Sequence, residues 1–195
     1  MKFSDNECLG VFMELDKDFS EFVALFIDHD VQFLIVGGYA LAAHGLPRAT
    51  GDLDAWVRAS EGNAVKVFEA LKAFGFGDVG VSVADFDRED SVVQLGFPPY
   101  RIDILTSVDG VEFEEAWNRR ILVEVDNLSV PFISRDDLIA NKKAAGRPQD
   151  IADVQRLTQS IWGAQRHRKR FRGICGQCGP QRGAEWAIRR AMGSI

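Results

Sequence analysis

Two aspartates, Asp52 and Asp54, stand two residues apart just after Gly51, and a third, Asp103, lies between Ile102 and Ile104. In an extended strand, residues i and i+2 leave the same face with Cα atoms roughly 6.5 Å apart. Asp52 and Asp54 then aim at one place while Leu53 enters the core, and a neighbouring strand would set Asp103 beside them. Two full charges about 6 Å apart repel by roughly 3 kcal/mol at an effective dielectric of about 20, before any desolvation. Something positive must compensate. Magnesium fits, because it prefers oxygen ligands and takes one or two carboxylates together with water and phosphate oxygens. Two such ions stabilise the attacking and leaving oxygens of an in-line displacement at phosphorus. In the plainer reading Asp52 is a turn acid at the strand start, and arginines such as Arg58 or Arg101 neutralise Asp54 and Asp103.

A second feature lies upstream. Gly37-Gly38 follows the apolar run Val31 to Val36 and precedes Tyr39 to His44, an Ala-rich stretch that reads as a short helix closed by Gly45 and Pro47. A glycine pair between strand and helix lets a phosphate approach the backbone and exposes the N–H groups of a helix start. It matches neither the P-loop nor the dinucleotide-binding glycine pattern, so those two functions are set aside. As a plain strand-to-helix turn it would carry no chemistry.

The elements that must position these residues follow from periodicity. Phe19, Phe22, Val23, Phe26 and Ile27 predict a first amphipathic helix over residues 17 to 29, and Val65, Phe68, Leu71 and Phe74 another over 61 to 74, stopped by Gly75 and Gly77. Strands are predicted at Val31 to Val36 and Leu53 to Val57. Ser91 to Phe97 and Tyr100 to Leu105 form a hairpin around Pro98-Pro99, and Ile121 to Val125 with Leu128 to Ile133 form one around Asp126-Asn127. Ser134 and Asp137 open a helix that Gly146 ends, and Pro148 starts a last one reaching about Trp162. Val79 to Asp90 stays ambiguous.

The chain has 195 residues and 46% hydrophobic composition, enough for one main domain with a small appendage. Charge is divided unevenly: residues 163 to 195 carry +7 and the remainder −13, giving the net −6. An acidic body does not bind a polyanion unaided, so a nucleic-acid partner would need the tail or a local pocket. No apolar run reaches the roughly 18 residues of a membrane span, and the first residues lack a signal-peptide layout, so a cytoplasmic protein without membrane attachment is expected. Three cysteines do not make a disulfide framework. Cys175 and Cys178 with His167 offer an incomplete zinc set; four ligands are needed. His29 and His44 read as structural residues at helix ends, and Trp56, Trp117 and Trp162 as core.

The ordered set of Gly37-Gly38, Arg48-Ala-Thr50-Gly-Asp52-Leu-Asp54 and Ile102-Asp103-Ile104 resembles the DNA polymerase beta-type nucleotidyltransferase superfamily over roughly residues 20 to 160. It looks most like small stand-alone bacterial members that include toxin components of abortive-infection systems. The resemblance implies an α/β (α+β) nucleotidyltransferase fold: a mixed β-sheet flanked by helices, with a C-terminal helical pair. Residues 1 to 162 would form that domain and 163 to 195 a basic, poorly ordered tail. The implied activity moves a nucleoside monophosphate from a triphosphate such as ATP to a hydroxyl acceptor, possibilities being transfer RNA, a protein or a small molecule. Asp52, Asp54 and Asp103 would be catalytic and hold two magnesium ions, with Asp103 activating the acceptor hydroxyl. Gly37 and Gly38 would cradle phosphates, Arg48 would face phosphate and Thr50 would supply local hydrogen bonds. Of the cations Lys142, Lys143 and Arg147 near a helix end, Lys143 is favoured for the triphosphate; all three also suit a helix C-terminus for its own sake. Asp150 and Asp153 read as structural. The rival reading is a non-catalytic binding protein on the same fold, an antitoxin-like partner.

Overall fold

The computed structural model describes residues 16–77, 80–97, 100–159 and 188–192. Helix α1 (Lys17–Asp28) is capped by Asp16, whose carboxylate accepts from the Asp18 amide, and it buries Phe19, Phe22, Val23 and Phe26. Its apolar stripe at i, i+3, i+4 and i+7 is the one periodicity predicts. Strand β1 (Phe33–Ile35) leads into α2 (Gly37–Ala43), so the glycine pair forms the first turn of that helix rather than a linker ahead of it. Then follow β2 (Asp52–Val57), α3 (Glu61–Leu71), β3 (Ser91–Phe97) and β4 (Tyr100–Leu105). Helix α3 ends earlier than its apolar pattern suggests: the chain widens into a π-type turn at Lys72–Phe76, where Gly75 takes φ 102°. The ambiguous segment holds a short 3-10 turn, Val83–Asp85, closed by reciprocal bonds between Ser82 and Asp85.

Helix α4 (Phe113–Arg119) has no counterpart in the sequence reading. Strands β5 (Ile121–Val125) and β6 (Leu128–Phe132) form the second hairpin, and Asp126 and Asn127 both adopt positive φ, at 49° and 66°. Two left-handed residues are what a right-twisted two-residue hairpin demands, and Asp and Asn tolerate them when glycine is missing. Helix α5 (Arg135–Ala145) starts at Ser134, whose hydroxyl accepts from the Asp137 amide, and ends at Gly146, left-handed at φ 63°. Helix α6 (Pro148–Gln159) completes the C-terminal pair.

The strands form one sheet in the order β5-β6-β1-β2-β4-β3-β7, where β7 is Ile188–Met192. β1 runs parallel to β6 and antiparallel to β2, while β2 runs parallel to β4, so the sheet is mixed. β7 lies antiparallel on β3 and gives part of the basic tail regular structure. Cys175, Cys178, His167 and Trp162 fall outside the described residues. The core is continuous, from the α1 phenylalanines through Leu34, Ile35, Leu53, Trp56, Ile102 and Ile104 to Val130, Phe132 and Leu138. No described helix is long and apolar enough to cross a membrane.

Candidate active site

The parallel ladder between β2 and β4 assembles the acids. It aligns Asp52 with Arg101, Leu53 with Ile102 and Asp54 with Asp103. Laterally paired residues share a face and the period along each strand is two. Asp52, Asp54, Arg101 and Asp103 therefore stand on one side, while Leu53, Ile102 and Ile104 are fully buried on the other. Asp103, only 7% exposed, thus shares the sheet face of Asp52 and Asp54, from which it is about fifty positions distant in the chain.

Each acid has a different partner. Arg101 donates from Nε to Asp103 Oδ1 at 2.8 Å, and from Nη2 to Asp103 Oδ2 at 2.9 Å and to Asp52 Oδ2 at 3.0 Å. Gln94 Nε2 adds a bond to Asp103 Oδ2 at 3.3 Å from the neighbouring strand β3. Asp54 instead turns toward the start of α2 and accepts from the Gly38 amide. Burial, then the charges of Asp103 and Asp52, push its pKa up to about 6, against the opposing pull of that amide and of Arg101. Burial also raises Asp103, although the Arg101 bonds hold it back. One arginine thus leaves three carboxylates undercompensated, which is the electrostatic condition a bound cation would relieve.

The neutralising partner foreseen for Asp103 is present in Arg101. The other candidate is spent elsewhere, since Arg58 pairs with Glu114 at 2.6 Å. Among the described residues, no three acids, histidines or cysteines are already drawn together closely enough to hold an ion. The donor set nevertheless fits magnesium in chemistry: three carboxylates, all hard oxygen ligands, share one face.

The glycine pair has a steric reason that its sequence context does not reveal. A Cβ on Gly37, at φ 61°, would lie 1.9 Å from Asp54 Oδ2, and one on Gly38 would lie 2.9 Å from Thr50 Oγ1. Absence of both side chains lets the first turn of α2 rest directly on Asp54 and Thr50. Thr50 Oγ1 bonds the Asp52 carbonyl at 3.3 Å and receives the Asp52 amide at 3.4 Å, shaping the entry into β2. Arg48, on the same α2–β2 connection, keeps a buried Nε with no protein partner.

The downstream cations divide. Lys142 is buried and pairs with Asp150 Oδ1 at 2.8 Å and Asp153 Oδ2 at 2.9 Å, locking α5 to α6. Lys143 and Arg147 are exposed. The sequence reading of Asp150 and Asp153 as structural fits this clasp, which also engages Lys142, one of the three cations weighed for the triphosphate. His44 Nε2 lies 2.9 Å from the Ile133 carbonyl and His29 Nδ1 2.9 Å from the Leu25 carbonyl, both structural placements.

Residues 11–161 match the model of a family described as nucleotidyltransferases of unknown function (DUF6036). The chain belongs to this family and is a nucleotidyltransferase. No curated protein matches it. Among solved structures it is similar to the lincosamide antibiotic adenylyltransferase LnuA bound to lincomycin, at 17% identity and TM-score 0.49, over 74% of this chain and 96% of that one. It is also similar to ANT(2'')-Ia in complex with adenylyl-2''-tobramycin, at 16% identity and TM-score 0.48, over 75% and 88%. A third is a nucleotidyltransferase of Thermotoga maritima described as putative, at 16% identity and TM-score 0.43, over 76% and 91%.

Proposed function

We propose that the chain transfers a nucleoside monophosphate from a nucleoside triphosphate, ATP among them, to an acceptor hydroxyl, with magnesium held by Asp52, Asp54 and Asp103. The observation that carries this reading is the register of β2 on β4, which sets Asp54 beside Asp103 and leaves one arginine to balance three carboxylates. Magnesium, when bound, would offset the charge of the triphosphate and of the leaving oxygen. The residues do the rest. Gly37 and Gly38 let the first turn of α2 close on Asp54 and Thr50, so that this turn borders the place assigned to the phosphates, and Arg48, with its orphaned buried Nε, is assigned to them as a charged donor. Thr50 holds the shape of the turn that presents Asp52. A carboxylate oxygen of Asp103 takes the proton of the attacking hydroxyl, a task suited to an acid whose pKa is raised. The hydroxyl oxygen forms the new bond to the α-phosphorus, the bond to the β-phosphate oxygen breaks, and pyrophosphate leaves. Lys143, exposed in the last turn of α5, is assigned to its charge; Lys142 is committed to the clasp.

The test is incubation of the full chain with each α-phosphate-labelled triphosphate, magnesium and three acceptor pools: transfer RNA, total protein and hydroxyl-bearing small molecules. Label should pass to one pool and fall at least 100-fold in Asp54→Ala. Equal labelling in that variant would remove the acid pair from the reaction.

A further inference from the structure

The proposed transfer gives Arg101 no task, yet Arg101 occupies the middle of the acid face. It lies opposite Asp52 across the parallel ladder and two residues from Asp103 along β4. The pleat therefore delivers all three side chains to one side. Its single nitrogen Nη2 bonds carboxylates of both strands, 3.0 Å to Asp52 Oδ2 and 2.9 Å to Asp103 Oδ2, and Nε engages the second oxygen of Asp103 at 2.8 Å. Paired charges with a forked guanidinium are the stronger class of hydrogen bond. Arg101 alone engages both oxygens of Asp103, and Gln94 adds a second donor to Oδ2. A cation shared by Asp52 and Asp103 would need the place that Nη2 holds, and two positive groups cannot occupy it together.

We infer that Arg101 is a built-in counter-ion that stands in for a divalent cation between Asp52 and Asp103 and must swing away from both before the cation enters. This rests on the metal reading of the three acids given above. Arg101 holds the acid face together in the metal-free protein and makes the face a weak trap for free cations. An arriving triphosphate brings anionic oxygens that can accept the displaced guanidinium, so nucleotide and metal load together.

The experiment measures manganese affinity of the full chain without nucleotide, from the electron paramagnetic resonance signal of the free ion. Wild type, Arg101→Gln and Arg101→Lys are compared. Arg101→Gln should bind at least tenfold more tightly, with Arg101→Lys between, because a lysine ammonium cannot span both carboxylates as the fork does. A non-hydrolysable triphosphate should tighten manganese binding in wild type more than in Arg101→Gln. Equal or weaker manganese binding by Arg101→Gln would overturn the inference while leaving the metal site standing. No binding by any of the three, with or without triphosphate, would overturn the metal reading and the inference together. Should Arg101→Gln not fold, the Nε–H resonance of Arg101 in wild type decides. It should shift on magnesium addition, and an unmoved signal at saturation would contradict displacement.

Discussion

Asp54 concentrates the electrostatic cost of the site. Burial and the neighbouring acids place its pKa at about 6, above the usual carboxylate range. The folded protein therefore holds this proton more tightly than the unfolded chain does. Its stabilising contribution is complete below about pH 4 and is lost as pH rises through about 6, amounting to roughly 3 kcal/mol. In the metal-free protein, Asp54→Asn should raise the unfolding free energy at pH 8 by about 1 to 3 kcal/mol and flatten its decline between pH 4 and 6. Transfer should fall at least 100-fold in the same variant. Urea titrations across pH check the first effect, and destabilisation at pH 8 would show that the charge of Asp54 is better compensated than its surroundings indicate. The shared face of Asp52 and Asp54 was legible from spacing, because the strand period is short and strict, whereas the place of Asp103 beside them depends on a strand pairing that spacing does not give. Arg101 was visible only as one of two candidate neutralisers: sequence does not say which arginine a parallel register will pair with Asp52.

The glycine turn and the helical clasp carry the predictions that belong to elements. Gly37→Ala would drive a methyl into Asp54 Oδ2 at a left-handed residue, whereas Gly45, at φ 83°, has nothing within 4 Å of an added Cβ. The first substitution should cost more than about 2 kcal/mol and the second about 1 kcal/mol, strain being the only penalty at Gly45. Thermal melts compare them directly, and equal losses would contradict the close packing of α2 on Asp54. Lys142→Ala leaves Asp153 buried and unpaired and Asp150 with only the exposed Arg147 at 4.0 Å, and should destabilise by about 3 to 5 kcal/mol. Lys143→Ala should stay within about 0.5 kcal/mol while raising KM for the triphosphate. A melting loss as large for Lys143→Ala would reverse their assignments. Adjacent residues on a helix face different directions, and the burial of Lys142 is decided by acids on α6, so the preference for Lys143 over Lys142 did not foresee the clasp. Helix α4 escaped periodicity because it has only seven residues and its N-cap, Glu112, makes no side-chain capping bond. Its signals were local: Glu114 and Glu115 in the first turn, Arg119 in the last, and Phe113 stacked on Trp117 four residues on.

For the molecule as a whole, the sheet order β5-β6-β1-β2-β4-β3-β7 sets the two acid strands side by side near its centre. Both hairpins and the helices other than α4 were readable from periodicity and turn chemistry. The parallel pairing of β2 with β4 was not, because it joins segments about fifty positions apart with no turn between them to signal it. β7 was equally hidden, since Ile188–Met192 lies in a basic segment without alternating pattern. It covers the outer edge of β3, whose residues are largely apolar, and exposed apolar edges template association. Removing residues 163–195 should therefore produce concentration-dependent self-association, read by light scattering; a monomer up to high concentration would show that β7 does not guard that edge. The sharing of cations by the three aspartates is the central proposition about this molecule. The most direct measurement is anomalous diffraction at the manganese edge from crystals grown with manganese and a non-hydrolysable triphosphate. Manganese should be bound to carboxylates of Asp52, Asp54 and Asp103 together; manganese elsewhere, with Arg101 still joining Asp52 to Asp103 in the presence of bound triphosphate, would refute the shared site.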